Sequence, residues 1–354
     1  MQNESFELLS KLIGEASPSG FEWRIQDTLK RHMKPYSDEV RADVHGNVIG
    51  VLNPKAPFRV MLSGHCDEIG FMVMHIDDKG FVYVSGVGGV DPAVATGQRV
   101  TIHGERGPVL GVIGRKPIHL LEAEERGKPV KLHELWIDIG AKNRKDAAKH
   151  VAVGDYATVA AGLERLQHNL VVGRGFDDRA GAFVVVETLR KLKGRKVQVG
   201  VYGVTSVQEE IGLRGAHTSA YGIDPQVGIA VDVGFASDFP GCDPKRTGEC
   251  KLGGGPVLHR GPNINPVLGR MLEATAKRRR IKFQMTAEPR ATGTDANAMQ
   301  ISRAGVAAAL VSIPNRYMHT PVEVISLDDL DQVSDLLAAF LVDLKPGQSF
   351  IPGR

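Results

Sequence analysis

Apolar residues Phe6, Leu8, Leu9, Leu12 and Ile13 recur at helical spacing, so the chain opens with an amphipathic helix. Ser19-Gly20-Phe21-Glu22 has the Ser-x-x-Glu form of a capping box, which predicts a second helix running to about Met33. Residues 47–52 and 59–63 are short continuous apolar runs and read as buried strands. His65 and Asp67 follow the second run. Residues two apart on an extended segment share a face, so these side chains can act together.

The texture changes between about Gly70 and Gly162. Short Val/Ile-rich runs (80–84, 99–102, 109–113, 135–139, 156–159) alternate with glycine turns, which predicts a small all-β domain. The charged middle, 120–134, reads as a loop or short helix. From Asn169 onward the pattern is strand–helix–strand. Helices are expected at 181–192, 266–279 and 328–344, and strands at 197–205, 227–231 and 306–313. That alternation predicts an α/β sheet with helices on both faces, interrupted by the β segment as an insertion. The expected domains are a catalytic unit of residues 1–69 and 163–354 and an inserted unit of 70–162.

Net charge is +3, too small to suggest nucleic acid or an acidic surface as partner. The basic run Lys277-Arg278-Arg279-Arg280 ends a helical pattern, where positive charge is favoured by the helix dipole. Three cysteines, Cys66, Cys242 and Cys250, are too few and odd in number for a disulfide framework and indicate a reducing compartment. The first residues carry Glu4 and Glu7 and lack a basic signal-peptide start. The longest strongly apolar stretch, 304–313, is about half of what a membrane span needs. A soluble cytoplasmic protein is expected.

Five clusters carry metal-friendly side chains beyond apolar runs: Gly64-His65-Cys66-Asp67, Phe176-Asp177-Asp178-Arg179, Gln208-Glu209-Glu210-Ile211, Val231-Asp232-Val233 and Met318-His319-Thr320. Open α/β sheets gather ligands beyond the carboxyl ends of their strands, so these distant clusters can converge. Two imidazoles and at least four carboxylates suit two divalent ions with one carboxylate left as a base. Two such ions carry about +4, and Asp177, Glu210 and Asp232 with a bridging hydroxide balance that charge. Of the neighbours Glu209 and Glu210, one can bind metal while the other reaches water from another side. Asp67 is placed to accept the second N–H of His65.

Each cluster alone has a plainer reading. Asp177-Asp178 can cap a helix, Glu209-Glu210 can be a solvated pair, and Asp232 can satisfy a buried turn. Cys66 alternates away from His65 and Asp67 and reads as a packed thiol. Gly253-Gly254-Gly255 lacks the Lys-Ser/Thr of a phosphate loop. The joint occurrence at strand ends favours the metal reading.

In order and in neighbours, the clusters resemble the tetrahedral (TET-type) co-catalytic metallo-aminopeptidases. That family includes glutamyl, leucyl, lysyl and deblocking aminopeptidases and proteins once described as CelM-type endoglucanases. The likeness runs from Ser17-Pro18-Ser19-Gly20-Phe21-Glu22 through Gly64-His65-Cys66-Asp67-Glu68-Ile69-Gly70-Phe71, Asp177-Asp178-Arg179-Ala180-Gly181 and Gln208-Glu209-Glu210-Ile211-Gly212-Leu213-Arg214-Gly215-Ala216. Gly293-Thr294-Asp295-Ala296 and His319-Thr320-Pro321-Val322-Glu323 complete it. Cys66 stands where the family commonly has Met, and Gly175-Phe176 precedes the Asp pair.

The resemblance implies a mixed-sheet, zinc-peptidase-like catalytic domain with an inserted small β-barrel, PDZ-like and used for dimerisation. It implies that Asp177 bridges two metals, with His65 and Asp232 completing one site and Glu210 and His319 the other. Glu209 is then the general base and Asp67 the orienter of His65. It also implies a cis Asp177–Asp178 peptide and dimers that build a tetrahedral dodecamer. Zinc is the first expectation, with cobalt and manganese suited to the same donors.

The expected function is hydrolysis of the N-terminal peptide bond of peptides by a two-metal-bridged hydroxide. A glycoside hydrolase would need two carboxyls facing each other across one bond, about 5–9.5 Å apart, which adjacent Glu209 and Glu210 do not offer. It would also leave His65 and His319 idle, and Trp23 and Trp136 lie outside the clusters. A non-catalytic metal-stabilised assembly protein would have lost a ligand or Glu209, and all are present. The preferred N-terminal residue is not in these motifs.

Overall fold

The computed structural model describes residues 1–353. Strands β1 (Glu39–Ala42), β2 (Val48–Leu52) and β3 (Arg59–His65) begin a large sheet. The chain then leaves it for a closed six-stranded barrel built of β4 (Gly70–Ile76), β5 (Val82–Val87), β6 (Arg99–Gly104), β7 (Gly107–Gly114), β8 (Trp136–Asp138) and β9 (Tyr156–Val159), in the order β4-β5-β8-β7-β6-β9. Next come β10 (Glu164–Arg165) and β11 (Leu170–Gly173). The large sheet resumes with β12 (Gly200–Ser206), β13 (Val227–Phe235), β14 (Val257–Arg260), β15 (Gln284–Ala287) and β16 (Ala307–Asn315). Finally β17 (Glu323–Ser326) pairs with β11.

The large sheet runs β1-β2-β12-β3-β13-β16-β14-β15. Its centre, β12-β3-β13-β16, is parallel, whereas β2 and β14 join it antiparallel, so the sheet is mixed. The central strands are buried almost throughout, which is why they read as continuous apolar runs. One helix spans Phe176–Leu192, and helices Pro266–Arg279 and Leu327–Asp343 form where helical periodicity places them, the last with Ser326 as its N-cap. At the end of the second, Arg278 and Arg279 pair with Asp343, so the basic run is a helix terminus tied to its neighbour. The 120–134 segment carries two short 3-10 turns, Ile118–Leu120 and Leu132–Glu134. Among the described residues no helix is long and apolar enough to cross a membrane. The barrel has its own core, including Phe71, Val73, Val100, Ile102 and Ile137.

Helix Phe176–Leu192 begins earlier than its apolar periodicity predicts. Its first turn holds Asp177 and Asp178 in non-helical backbone, joined by a cis peptide. The helix can lie directly on β3 because Gly64 and Gly181 meet there. A Cβ on Gly64 would sit 2.5 Å from the Gly181 carbonyl carbon, and one on Gly181 would collide with Asp178 and the Val231 carbonyl. This close approach brings the Asp pair beside His65. Gly64→Ala is therefore expected to cost at least about 1–3 kcal/mol in urea unfolding, because neither backbone can give way easily. An unchanged midpoint would show that the contact is not needed.

Candidate metal centre

Strands β12, β3 and β13 end at one edge of the sheet, and that edge carries the site. His65 is the last residue of β3, and Asp232 lies on the adjacent β13. Asp177 and Asp178 come from the start of the helix above them. Glu209 and Glu210 stand in the loop after β12, and His319 in the turn between β16 and β17. Asp177, Asp178 and Asp232 are buried, and the side chains of Glu209 and Glu210 are nearly so.

Asp177 lies between the two imidazoles. Its Oδ1 is 3.1 Å from His65 Nε2, and its Oδ2 is 3.2 Å from His319 Nε2. Glu209 Oε2 lies 3.6 Å from His65 Nε2, and Glu210 Oε1 lies 3.5 Å from His319 Nε2. His65, Asp177 and Glu210 each turn one ligand atom into a common space, as do His65, Asp178 and Asp232. Asp178 is otherwise engaged: its Oδ2 accepts the His65 N–H at 3.1 Å and its Oδ1 the Gly181 N–H at 2.9 Å.

Charge makes this arrangement costly on its own. Burial pushes Glu209 up to about 10 and Glu210 up to about 8. Burial, with Asp232 beside Asp178 and Asp177 beside Asp232, raises both of those carboxyls well above the ordinary range. Asp177 moves the other way: burial opposes ionisation, but His319 and His65 hold it low. The Asp177 hydrogen bond lifts His319 up to about 9. The cluster therefore holds more buried carboxyl groups than two imidazoles can balance as anions, so the surplus groups hold protons unless cations take their place. Glu210 Oε1 is buried with no hydrogen-bond partner, an orphan acceptor in a cluster of oxygen and nitrogen donors. Divalent cations fit that donor set and that charge.

Several residues that build the site had no role assigned from the chain. Glu323 accepts the Asp177 N–H and the His319 N–H, both at 3.0 Å, and so ties the two together. Burial pushes it up to about 8. Asp295 is buried behind the site, where Ser63 and Ser206 each donate to its Oδ2 at 2.6 Å. Both lie in the motifs 319–323 and 293–296, the one signal that could have found them.

One local expectation is corrected and another gains detail. The helix Trp23–Met33 forms, but Ser19 and Glu22 do not make a capping box: Glu22 occupies the N-cap without a side-chain cap bond. Ser19 Oγ donates to Asp67 Oδ2 at 2.6 Å, and Glu22 Oε1 accepts the N–H groups of Gly20 and Gln208 at 2.8 and 3.1 Å. Tertiary partners outbid the local cap. The second concerns Asp67. The His65 Nδ1 lies 3.1 Å from the Asp67 backbone carbonyl and 3.4 Å from its carboxylate. That carboxylate also accepts the N–H groups of Glu209 and Glu210, at 3.0 and 3.2 Å. Asp67 thus positions both ends of the site.

A cleft of ≈ 710 Å³ opens onto His65, Asp177, Glu209, Glu210, Asp232 and His319. An α/β sheet edge with two imidazoles around one buried carboxylate, open to such a cleft, is the site of a metallohydrolase. Residues 46–336 match the M42 glutamyl aminopeptidase family, and the chain belongs to that family. It is a metal-dependent aminopeptidase. It is 40% identical to the lysyl aminopeptidase of Pyrococcus furiosus over 346 residues, covering 96% of this chain and 98% of that protein. It is also similar to the TET aminopeptidase of the marine sediment archaeon Thaumarchaeota archaeon SCGC AB-539-E09, with a TM-score of 0.93, 35% identity and 98% of each chain covered. The Pyrococcus horikoshii TET1 peptidase, which can assemble into a tetrahedron or a large octahedral shell, matches with a TM-score of 0.86 and 31% identity over 96% of this chain and 100% of that one.

Stripping metal with EDTA leaves the buried carboxyls to take up protons in place of metal and removes the ligand that binds only the folded state, so the stripped protein should melt at lower temperature and recover when divalent metal returns. With metal at about 1,000 times its Kd the difference amounts to about 4 kcal/mol. Equal melting curves with and without metal would contradict this account of the cluster.

Proposed function

We propose that two divalent ions, zinc first, occupy the site, with Asp177 bridging them. His65 and Asp232 complete one position, and Glu210 and His319 the other. The facing of the two Asp177 oxygens toward different imidazoles carries this reading. When bound, such ions polarise the scissile carbonyl and activate water. Glu209 is the general base. Its carboxylate borders the cleft, accepts no hydrogen bond among the described residues and has His65 as its one charged partner within 4 Å among them, so it is available to take the water's proton and return it to the leaving amine. Asp67 holds the Glu209 and Glu210 backbone in place for these tasks.

The cleft also supports a substrate class. On the face carrying Asp232, its register partner Ser312 hydrogen-bonds His259 Nε2 at 2.9 Å, and His259 Nδ1 meets Thr286 at 2.9 Å. Glu288 ends this row, 3.5 Å from His259 Nδ1, and pairs with no Lys or Arg among the described residues. Arg246 borders the cleft too, but at its exposed mouth. A carboxylate in the cleft wall with no Lys or Arg partner favours a basic first residue, in keeping with the lysyl aminopeptidase relative.

The segment 70–162 serves dimerisation in this reading, and dimers build a homo-oligomer of the tetrahedral, twelve-subunit kind. Exposed Leu110, Val112, Ile118 and Leu120 on the barrel and the assembling TET1 relative support it. Three free cysteines support a cytoplasmic setting.

Glu209→Gln should lower kcat by about 10²–10⁴-fold with metal content unchanged by elemental analysis; full turnover would remove Glu209 as base. In a panel of aminoacyl chromogenic substrates, Glu288→Gln should cut kcat/KM for Lys about tenfold relative to Leu, equivalent to about 1.4 kcal/mol. An unchanged Lys-to-Leu ratio would place specificity elsewhere.

A further inference from the structure

We infer that the barrel is part of the metal centre: the Gly88-Gly89 turn after β5 holds the His319 imidazole and so positions the metal ligand it supplies. This rests on the reading of His319 as a ligand.

The two imidazoles are oriented by different parts of the chain. His65 finds its Nδ1 partner two residues away, at the Asp67 carbonyl. His319 has no such neighbour. Its Nδ1 lies 3.0 Å from the carbonyl oxygen of Gly89, 230 residues earlier and outside the large sheet. A carbonyl can only accept, so this contact keeps a proton on Nδ1 and makes Nε2, which faces Asp177 and Glu210, the nitrogen that would give its lone pair to a metal. Partners of this kind fix the tautomer and ring orientation of metal-binding histidines.

The turn is shaped for this contact. A Cβ at Gly89 would lie 3.1 Å from His319 Nδ1 and 3.2 Å from Cε1, so any side chain there presses on the ring. Gly88, at φ +76°, packs equally closely: a Cβ would lie 3.2 Å from Glu210 Cβ and 2.8 Å from Ile69. Val90 and Val94 continue the wall and share a void of ≈ 40 Å³ with Asp177, Glu210 and His319. Hence His319 and Glu210, the pair assigned to one metal position, both rest on the barrel. Glu323 fixes the His319 backbone but not its ring, and the residue sits in a turn with a left-handed backbone (φ +61°) and a side chain about a third exposed (35%), so the imidazole needs this support. The His65 position has no barrel contact of this kind.

The test is a Co(II) titration of the metal-stripped, full-length protein, followed by visible absorption and metal analysis. Gly89 is outside the left-handed region, so Gly89→Ala is compatible with its backbone. Gly89→Ala should weaken one of the two binding steps several-fold, and Gly89→Val should weaken it about 10–100-fold. The absorption of that step should shift while the other step keeps its affinity and spectrum. Gly127→Ala, on an exposed barrel loop with nothing within 4 Å, should match the unaltered protein. Melting of the stripped variants checks that the fold is kept, and should Gly89→Val fail to fold, Gly89→Ala decides. If His319→Ala loses a binding step while both Gly89 variants bind as the unaltered protein does, the barrel's role is overturned. If His319→Ala itself leaves both steps intact, the ligand reading fails first.

Discussion

The structure is organised around a repulsion. Asp177, Asp178, Asp232, Asp295 and Glu323 are buried within one region, and Glu209 and Glu210 close it from the cleft side. Carboxylates so placed raise one another's proton affinity, and burial adds to the effect. A chain folds around such a cluster only if other donors hold most of the oxygens. Here backbone N–H groups do much of this: His65 and Gly181 donate to Asp178, Val233 to Asp232, Asp177 and His319 to Glu323, and Glu209 and Glu210 to Asp67. Those bonds fix geometry without cancelling charge. Asp177 alone is held low, by the imidazoles on either side of it. The remaining excess is what a metalloenzyme needs before its metal arrives.

Much of the frame was legible along the chain because it depends on local regularities. Buried parallel strands produce continuous apolar runs, as in β3, β12 and β16, and helix 266–279 shows in its period. The barrel announced itself through short apolar runs between glycine turns. The helix over the site was read five residues short. Asp177 and Asp178 interrupt its geometry, and Phe176 alone, followed by three charged residues, does not mark a first turn. Periodicity reports packing faces, and the functional turn is where packing yields to chemistry.

The residues that hold the site were less legible for a different reason. A Ser-x-x-Glu sequence before a helix has a good local use, and Ser19 and Glu22 appear to the local eye as a cap. Their actual partners, Asp67 and the Gln208 backbone, are 48 and 186 residues away. One hydroxyl–carboxylate contact of 2.6 Å between buried groups outweighs a cap bond on an end that water can reach. The same reasoning explains why Asp67 does more than orient His65. Its carboxylate is drawn to two N–H groups that have no alternative partner, while its own carbonyl already serves His65. Glu323 and Asp295 act through the backbone and through serines, so their residue type alone does not distinguish them from solvated acids.

The barrel interrupts the catalytic chain at the site itself. β4 starts five residues after His65, and β11 delivers the chain to Asp177 after the excursion. Two flexible crossings at this point would let the site drift. Instead Glu68, just before β4, pairs with Arg179 at 2.9 Å and Arg174 at 3.4 Å, both just after β11. Glu68 also accepts the Ser17 N–H at 3.0 Å, and Arg179, fully buried, donates to the carbonyls of Leu12, Glu15, Arg174 and Gly175. Buried ion pairs contribute little net stability once desolvation is counted. Their consequence here is geometric: entry, exit and the first helix are locked to one another beneath the Asp pair. A barrel held at its base in this way can carry the Gly89 carbonyl to His319 reproducibly, which a tethered but mobile domain could not do.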